Sequence, residues 1–292
     1  MNVLLCPGQG AQYPGMGREI AERWPEARRV FERADDALGF PLTRTVFEGS
    51  AEDVERTDVC QPAILTVTTA IWEVLRAHGA VDPGALTHVL GLSLGEYTAH
   101  VVAGSLSFED AVRLVRRRGR YMQEASEAVP SGMAAVMGLE TDAIETVCAA
   151  VRAEGGVVVV ANLNAPGQVV ISGERGALER TTLRLQEAGA RRVIALKVAG
   201  AFHSPVMQPA AERLLEDLAG VRFATPRIPV VSNVTAAPVT TAEEARDTLG
   251  RQVVAPVLFE RSLRHVVETS RAPARFLEPG PGKALAGFVK KL

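Results

Sequence analysis

The sequence predicts an α/β protein in two parts, a larger subdomain built on a mainly parallel sheet and a small subdomain of β-α-β-β-α-β order inserted into it. Three observations predict this. Apolar runs of strand length alternate with helix-compatible stretches on either side of the middle segment, the pattern of a parallel sheet covered on both faces. Between them, residues 128–198 carry a complete strand and helix series of their own. Finally, Gly91-Leu92-Ser93-Leu94-Gly95 joins an apolar run to a helix through a G-x-S-x-G turn, which belongs at a strand-to-helix junction of such a sheet.

Taken in order, residues 3–6 (Val-Leu-Leu-Cys) form a short buried strand, followed by the turn-rich Pro7-Gly8-Gln9-Gly10-Ala11-Gln12. That loop serves equally well as a plain connection or as one whose backbone N–H groups face a site, because small residues let a ligand approach the main chain. Residues 17–38 are an Arg/Glu-laced helical stretch. Gln61-Pro62 opens a helix over 63–78, with proline near the first turn as helices prefer. Asp82-Pro83-Gly84 is a turn, and residues 86–90 are the strand feeding the G-x-S-x-G turn. Ser107 and Asp110 have capping-box spacing for a helix that runs to about Ser126.

Pro130-Ser131-Gly132 then breaks the chain. Strands at 133–137, 157–162, 168–172 and 192–196 and helices at 141–151 and 174–186 follow, which is the split βαβ or ferredoxin-like order. The small subdomain is therefore 128–198, and the larger one 1–127 with 199–292. In the second part Ser204 can cap and Pro205 can open a helix to about Leu218. A strand is expected at 228–232, and helices at 243–254 and 257–267 on either side of Pro256. Phe276-Leu277-Glu278 is a last strand, turning through Pro279-Gly280-Pro281-Gly282 into a terminal helix.

Composition excludes several classes of function. The 292 residues, 47% hydrophobic and 23% charged, are ordinary for a globular protein with ample core. A net charge of −2 argues against a nucleic-acid binder. Cys6, Cys60 and Cys148 are odd in number and far apart, so neither a disulfide framework nor a metal-ligand spacing can be read from them, and a reducing cytosol suits them. MNVLLCPGQG has no basic region and its apolar run stops at a proline, so no signal peptide is expected. No run approaches the roughly 18 apolar residues of a membrane span.

The G-x-S-x-G pattern fits a plain structural turn as well as a nucleophile, and its strand–turn–helix context favours a nucleophilic Ser93. A glycine two positions to either side relieves crowding in a tight turn, and the new helix brings its positive dipole end beside the serine. Such a serine needs a base. His78 sits at a helix end, His88 inside a strand, His100 too far along its helix to reach back, and His265 mid-helix on the surface side. His203 ends a strand-like run and precedes a helix, at the kind of sheet edge where α/β sites form, and it fits a base as well as it fits a capping or core histidine. Glu96, Glu109, Asp110 and Asp142 read as helix-surface acids, none with a loop context that would make it a triad member. A backbone carbonyl can hold the second ring nitrogen instead, so a Ser–His dyad fits better than a triad. Arg116, Arg117 and Arg118 point about 100° apart around one helix, so they cannot share a face. An inward-turning member would require an anion.

At this point the residues resemble a family. PGQGAQ, GLSLGE, RRRGRYMQEA, NAPGQVVISG, GAFHSP and EPGPGK, in order over nearly the whole chain, are similar to the malonyl-CoA:acyl carrier protein transacylases, including acyltransferases that serve polyketide synthases. The resemblance implies a hydrolase-like large subdomain with a ferredoxin-like insertion. It implies that Ser93 is the acylated nucleophile and His203 its base, with backbone N–H groups of Gln9 and Leu94 as the oxyanion hole. Arg118 then binds the malonyl carboxylate, the carbonyl of Gln252 (in RQVVAPV) steadies the histidine, and Gln61 and Asn162 fall on cleft positions. The family usually has histidine before the nucleophile where this chain has Leu92, which bears on the acyl pocket and not on the base. Ala201-Phe202 before His203 resembles members that use malonyl units.

The expectation is thus a monomeric, cytoplasmic enzyme that moves malonyl from CoA to the phosphopantetheine thiol of an acyl carrier protein. It would work by a ping-pong Ser-acyl intermediate, with no cofactor and no metal, for fatty-acid or polyketide synthesis. Transfer of a methyl- or ethylmalonyl unit, hydrolysis of thioesters from stalled carrier proteins, and a scaffold that only docks carriers are the alternatives. The scaffold would need a broken dyad. Outward members of Arg113, Arg116, Arg117 and Arg120 could meet an acidic carrier surface, or simply form a solvated face.

Overall fold

The computed structural model describes residues 2–270 and 272–292. The chain opens with β1 (Asn2–Cys6), followed by α1 (Arg18–Arg23), α2 (Pro25–Leu38), α3 (Leu42–Glu48), α4 (Ala51–Glu55) and α5 (Thr57–Ala77). The single helical stretch expected at 17–38 is two helices, parted at Trp24, which takes an extended conformation (φ −119°). The cause is Pro25, because a residue before proline is pushed out of the helical region. Helix α5 begins at Thr57, well ahead of the expected start at 63, so Pro62 lies inside it. Proline brings no N–H to the Asp58 carbonyl four residues back, but Arg116 Nη1 donates to that carbonyl at 2.5 Å instead.

Strand β2 (Leu86–Gly91) leads into α6 (Gly95–Val102) and then α7 (Phe108–Ala128), where the Ser107 hydroxyl caps by accepting from the Asp110 N–H. Next come β3 (Ser131–Met137), α8 (Thr141–Ala153), β4 (Val158–Ala165), β5 (Gln168–Glu174), α9 (Arg175–Glu187) and β6 (Arg192–Ala195). They form a sheet of order β4-β5-β3-β6 with every pair antiparallel, the ferredoxin-like arrangement. Helices α8 and α9 cover one of its faces, placing Ile144, Cys148 and Leu185 on Val136, Val160 and Ile171. From the sheet, Met133 and Val170 join the same core as Val115 and Met122 of α7.

The remainder is α10 (Gln208–Ala219), β7 (Val230–Val231), β8 (Pro238–Val239), α11 (Ala242–Arg251), α12 (Phe259–Glu268), β9 (Arg275–Leu277) and α13 (Ala284–Val289). With β1 and β2 these strands make a second sheet of order β8-β7-β2-β1-β9, parallel except at the β7–β8 edge. The strand expected at 228–232 shortens to Val230–Val231, and the edge strand β8, which contains a proline, was not foreseen. Both faces are covered. Leu4, Val89 and Val230 pack on Trp72, Ala99 and Val102 from α5 and α6, while Val3, Leu5, Leu90 and Val231 pack on Phe259, Leu263 and Val266 of α12. This is the mainly parallel α/β sheet expected, with the second, antiparallel sheet beside it. Main-chain bonds also tie β4 to the segment between α11 and α12: Val257 N–H donates to Ala161 O (2.8 Å) and Leu163 N–H to Val257 O (2.9 Å).

The β2–α6 turn leaves no room for a side chain at its glycines. A Cβ on Gly91 would lie 1.9 Å from the Gly95 carbonyl carbon, and one on Gly95 would lie 2.1 Å from Cys6 O. Gly91→Ala is expected to cost about 3 kcal/mol or more of stability in a denaturant titration. Gly287→Ala, on α13 with open space around it, should instead be neutral or gain up to about 1 kcal/mol.

Candidate active site

The turn after β2 holds Ser93 in a left-handed conformation (φ 51°), which is uncommon for any residue with a Cβ. Asn233, just beyond β7, holds it there. Its Oδ1 accepts from the Ser93 N–H (2.6 Å) and its Nδ2 donates to Gly91 O (2.7 Å), so one buried amide spans the bend. The serine stands at the start of α6, at the positive end of that helix. Gly8 lies hard against the turn, where a Cβ would meet Leu92 O at 2.3 Å, so the Pro7–Gln12 loop borders the same site. The backbone bonds of the turn run from Leu92 N to Cys6 O, Gly95 N to Leu92 O and Glu96 N to Ser93 O, and none of them uses the N–H of Leu94 or of Gln9.

His203 reaches Ser93 from across the cleft. No strand leads into it, contrary to the strand-like run read in the sequence. It sits in a turn, also left-handed (φ 57°), fixed by Ser204, whose hydroxyl donates to Ala201 O (2.6 Å) and accepts from Val206 N–H. Nε2 of the ring is 2.8 Å from Ser93 Oγ, and Nδ1 is 2.8 Å from the main-chain oxygen of Gln252. A carbonyl only accepts, so Nδ1 carries the proton and Nε2 is left to accept from the serine hydroxyl. Burial and then the Arg118 cation push the imidazole down to about 4, which keeps it neutral at physiological pH. His203 is thus hydrogen-bonded to the serine and caps no helix; Ser204 is the residue that caps the turn after it.

Of the three consecutive arginines, Arg118 turns inward and is 2% exposed. Its Nη1 donates to Gln61 Oε1 (2.8 Å), and its Nη2 to Ser93 Oγ (3.1 Å) and Gln252 Oε1 (3.1 Å). Each of these partners is neutral. Desolvation pulls the guanidinium below its ordinary value, the cost of holding a buried charge. The outward arginines are matched within the chain, Arg113 with Asp110, Arg116 with Asp58, Arg117 with Asp217 and Arg120 with Glu124. Each is paired within the chain, on more than one side of α7, and an acidic partner would have to displace those carboxylates.

These groups open on a cleft of about 730 Å³ between the two sheets. Gln9, Leu92, Ser93, Arg118 and His203 line it from one side and Asn162 of β4 from the other. Gln61 is fully buried behind Arg118, and Gln252 behind His203. The structure thus gathers Ser93, His203, Gln9, Arg118, Asn162 and Leu92 at one cleft, with Leu94, Gln61 and Gln252 immediately behind. The other histidines lie elsewhere. His100 is sealed in the core on Ser105 Oγ (2.7 Å), His78 packs on Trp24, and His88 meets His265 edge-on. Two residues escaped the sequence reading. Asn233 follows the short β7, and its place at a strand's carboxyl end was the available signal. Glu96 reads as a surface acid but is 0% exposed, bonded to Gln252 Nε2 (2.5 Å) and Asn233 N (3.2 Å).

Comparison with known proteins gives the same assignment. Residues 3–284 match the acyl transferase domain family. The malonyl CoA-acyl carrier protein transacylase of Bacillus subtilis is 43% identical over 290 residues, 99% of this chain and 90% of that protein. The chain belongs to the malonyl CoA-acyl carrier protein transacylase family. The transacylase crystal structure from Streptococcus pneumoniae superposes with a TM-score of 0.92 at 42% identity, covering 100% of this chain and 92% of that one. A malonyl-transacylase solved in complex with a type II PKS acyl-carrier protein gives a TM-score of 0.92 at 38% identity, covering 99% and 92%. Among the described residues of this transacylase-family chain, no helix is long and apolar enough to cross a membrane.

The hydrogen bond from Ser93 Oγ to Nε2 needs a neutral His203, so the reactivity of Ser93 should fall as pH drops through about 4 and be flat above it. The rate of labelling by a serine-directed fluorophosphonate measures this. Loss of labelling already at pH 6 would contradict the depressed histidine.

Proposed function

We propose that this chain is a malonyl-CoA:acyl carrier protein transacylase acting through a malonyl-serine intermediate. Arg118 carries the reading: a buried guanidinium 3.1 Å from the nucleophilic oxygen, hydrogen-bonded only to neutral groups. In a malonyl thioester the free carboxylate lies two bonds beyond the carbonyl carbon under attack. An acyl group on Ser93 therefore brings its carboxylate to Arg118, and arginine offers the planar, two-pronged donor that a carboxylate matches. The names of the relatives support the same donor and acceptor.

In the proposed cycle, His203 Nε2 takes the Ser93 proton as Oγ attacks the thioester carbonyl. The oxyanion is received by the N–H groups of Gln9 and Leu94, a contribution worth about 10²–10³ in rate per donor. Collapse expels the CoA thiolate, which takes the proton from His203. The phosphopantetheine thiol of the carrier then gives its own proton to His203 and attacks the acyl-serine, and the proton returns to Ser93 Oγ as the serine leaves. Throughout, the Gln252 carbonyl holds Nδ1–H and so the tautomer. The steps use side chains and main chain only, without a resident cofactor.

Phe202, 5% exposed and lining the cleft beside His203, supports the unbranched malonyl unit over methyl- or ethylmalonyl units. Every group in the cycle comes from one chain, which supports a monomer. Three free, buried cysteines support a reducing cytosol. Asn162 faces the same cleft and is proposed to contact the thioester arm.

Incubation with malonyl-CoA should add one malonyl mass to the wild type and none to Ser93→Ala, as read by intact-mass spectrometry. Labelling of the Ala variant would overturn the intermediate. Arg118→Ala should lower kcat/KM for malonyl loading by about 2–5 kcal/mol-equivalents while sparing acetyl loading. An equal fall for both acyl groups would contradict the carboxylate role. With malonyl-, methylmalonyl- and ethylmalonyl-CoA in competition, malonyl is expected to dominate the acyl-enzyme. A dominant branched species would reassign the extender unit.

A further inference from the structure

Among the described residues, Glu96 is the one fully buried carboxyl beside the site that the proposed cycle leaves unused. It lies in the first turn of α6 with no exposed surface. Its Oε2 accepts from Gln252 Nε2 at 2.5 Å and from the Asn233 N–H at 3.2 Å, while Oε1 has no hydrogen-bond partner. Both residues it holds are themselves braces. Asn233 spans the bend at Ser93. Gln252 meets three groups at once: its main-chain oxygen accepts from His203 Nδ1 (2.8 Å), its Oε1 accepts from Arg118 Nη2 (3.1 Å), and its Nε2 also donates to Ser93 O (3.0 Å).

A glutamine side chain can be flipped end for end at little steric cost, so something must decide which end faces which neighbour. Here one end faces the guanidinium of Arg118, which only donates, and the other faces a main-chain oxygen and the Glu96 carboxyl. Flipped, the amide would set its NH2 against Arg118 and its oxygen against two acceptors. Gln252 Nε2 donates to both of these acceptors, and its bond to Glu96 Oε2 (2.5 Å) is the shorter of the two, against 3.0 Å to Ser93 O. We propose that Glu96 is a positioning residue for acyl-group selection: it locks the Gln252 side-chain amide with Oε1 toward Arg118, and so aims the guanidinium at the carboxylate of the acyl group. This rests on the carboxylate role of Arg118 stated above.

The role belongs to the position of an acceptor oxygen and not to a negative charge. Burial raises the Glu96 carboxyl to about 7, against the bonds from Gln252 and Asn233, the nearby Ser232 hydroxyl and the Arg118 cation, all of which lower it, so both protonation states are populated near neutrality. In either state Oε2 can accept, and the proton of the neutral form has its place on the unpartnered Oε1. Glutamine reproduces this arrangement, with oxygen at Oε2 and NH2 at the unpartnered place. Aspartate keeps the charge but withdraws the oxygens by one methylene, about 1.5 Å, beyond reach of Gln252.

The experiment measures Ser93 acylation by malonyl-CoA and acetyl-CoA in the wild type, Arg118→Ala, Glu96→Gln, Glu96→Asp and, as a second variant of matched length without an acceptor, Glu96→Met. Glu96→Gln should keep the malonyl-to-acetyl ratio of kcat/KM within about threefold of wild type. Glu96→Asp and Glu96→Met should lower that ratio by about tenfold or more, chiefly through KM for malonyl-CoA, the signature of lost binding. If neither Asp nor Met moves the ratio, Glu96 is structural only and the proposal fails. If Glu96→Gln falls as far as the other two, charge and not acceptor position is what matters, and the proposal fails as well. The carboxylate reading fails separately, when the wild type shows no malonyl preference or Arg118→Ala retains it.

Discussion

Everything at this site hangs on the buried amide and carbonyl of Gln252. One residue accepts from His203 through its main chain and from Arg118 through its side chain, and donates to the main chain of Ser93. His203, Arg118 and Ser93 come from three separate parts of the chain, and this one residue is hydrogen-bonded to all three. Gln252 caps the C-terminus of α11, itself fixed by a capping box in which Thr241 and Glu244 exchange hydrogen bonds. Its placement therefore follows from ordinary helix chemistry far from the cleft. A fully buried amide with every group satisfied is well suited to this, because a half-satisfied one would cost more than an apolar side chain.

Around that brace the chain accumulates arrangements that are unfavourable on their own. Ser93 and His203 both take left-handed backbone conformations, and Arg118 is a charge with almost no solvent. Each is held by named partners: Asn233 for the serine, Ser204 for the turn at the histidine, and Gln61 with Gln252 for the arginine. Strained backbone at functional groups persists only where surroundings over-determine it. The shallow hydrogen bonds of Arg118 to neutral groups leave its charge available to an incoming anion, while a salt bridge within the chain would have consumed it.

The parts of this design that depend on neighbours in sequence were readable from sequence. Glycines flanking Ser93 announce the turn, the β-α-β-β-α-β order emerges from runs of apolar residues, and the angle between successive helical residues requires that Arg116, Arg117 and Arg118 diverge. Which of them turns inward came from the family resemblance, and the core placed around it agrees. What escaped depends on partners distant in the chain. Pro62 reads as a helix opener, yet α5 continues through it because Arg116, more than fifty residues away, satisfies the carbonyl that proline strands. Glu96 has the sequence context of any acid in a helix's first turn, and only the arrival of Gln252 and Asn233 shows it to be buried. Asn233 follows a strand of two residues, too short to announce itself by periodicity.

The main-chain stitch at Val257 has a mechanical consequence. It clamps the end of β4 to a segment that begins a few residues earlier with Gln252, so the ferredoxin-like sheet and the carbonyl that steers His203 are parts of one lever. A rotation that widened the cleft at β4 would drag on the imidazole and misalign it. The opposite edge of that sheet, at β6, pairs with no other strand among the described residues, so the tie to the carbonyl that holds His203 is made from the β4 side.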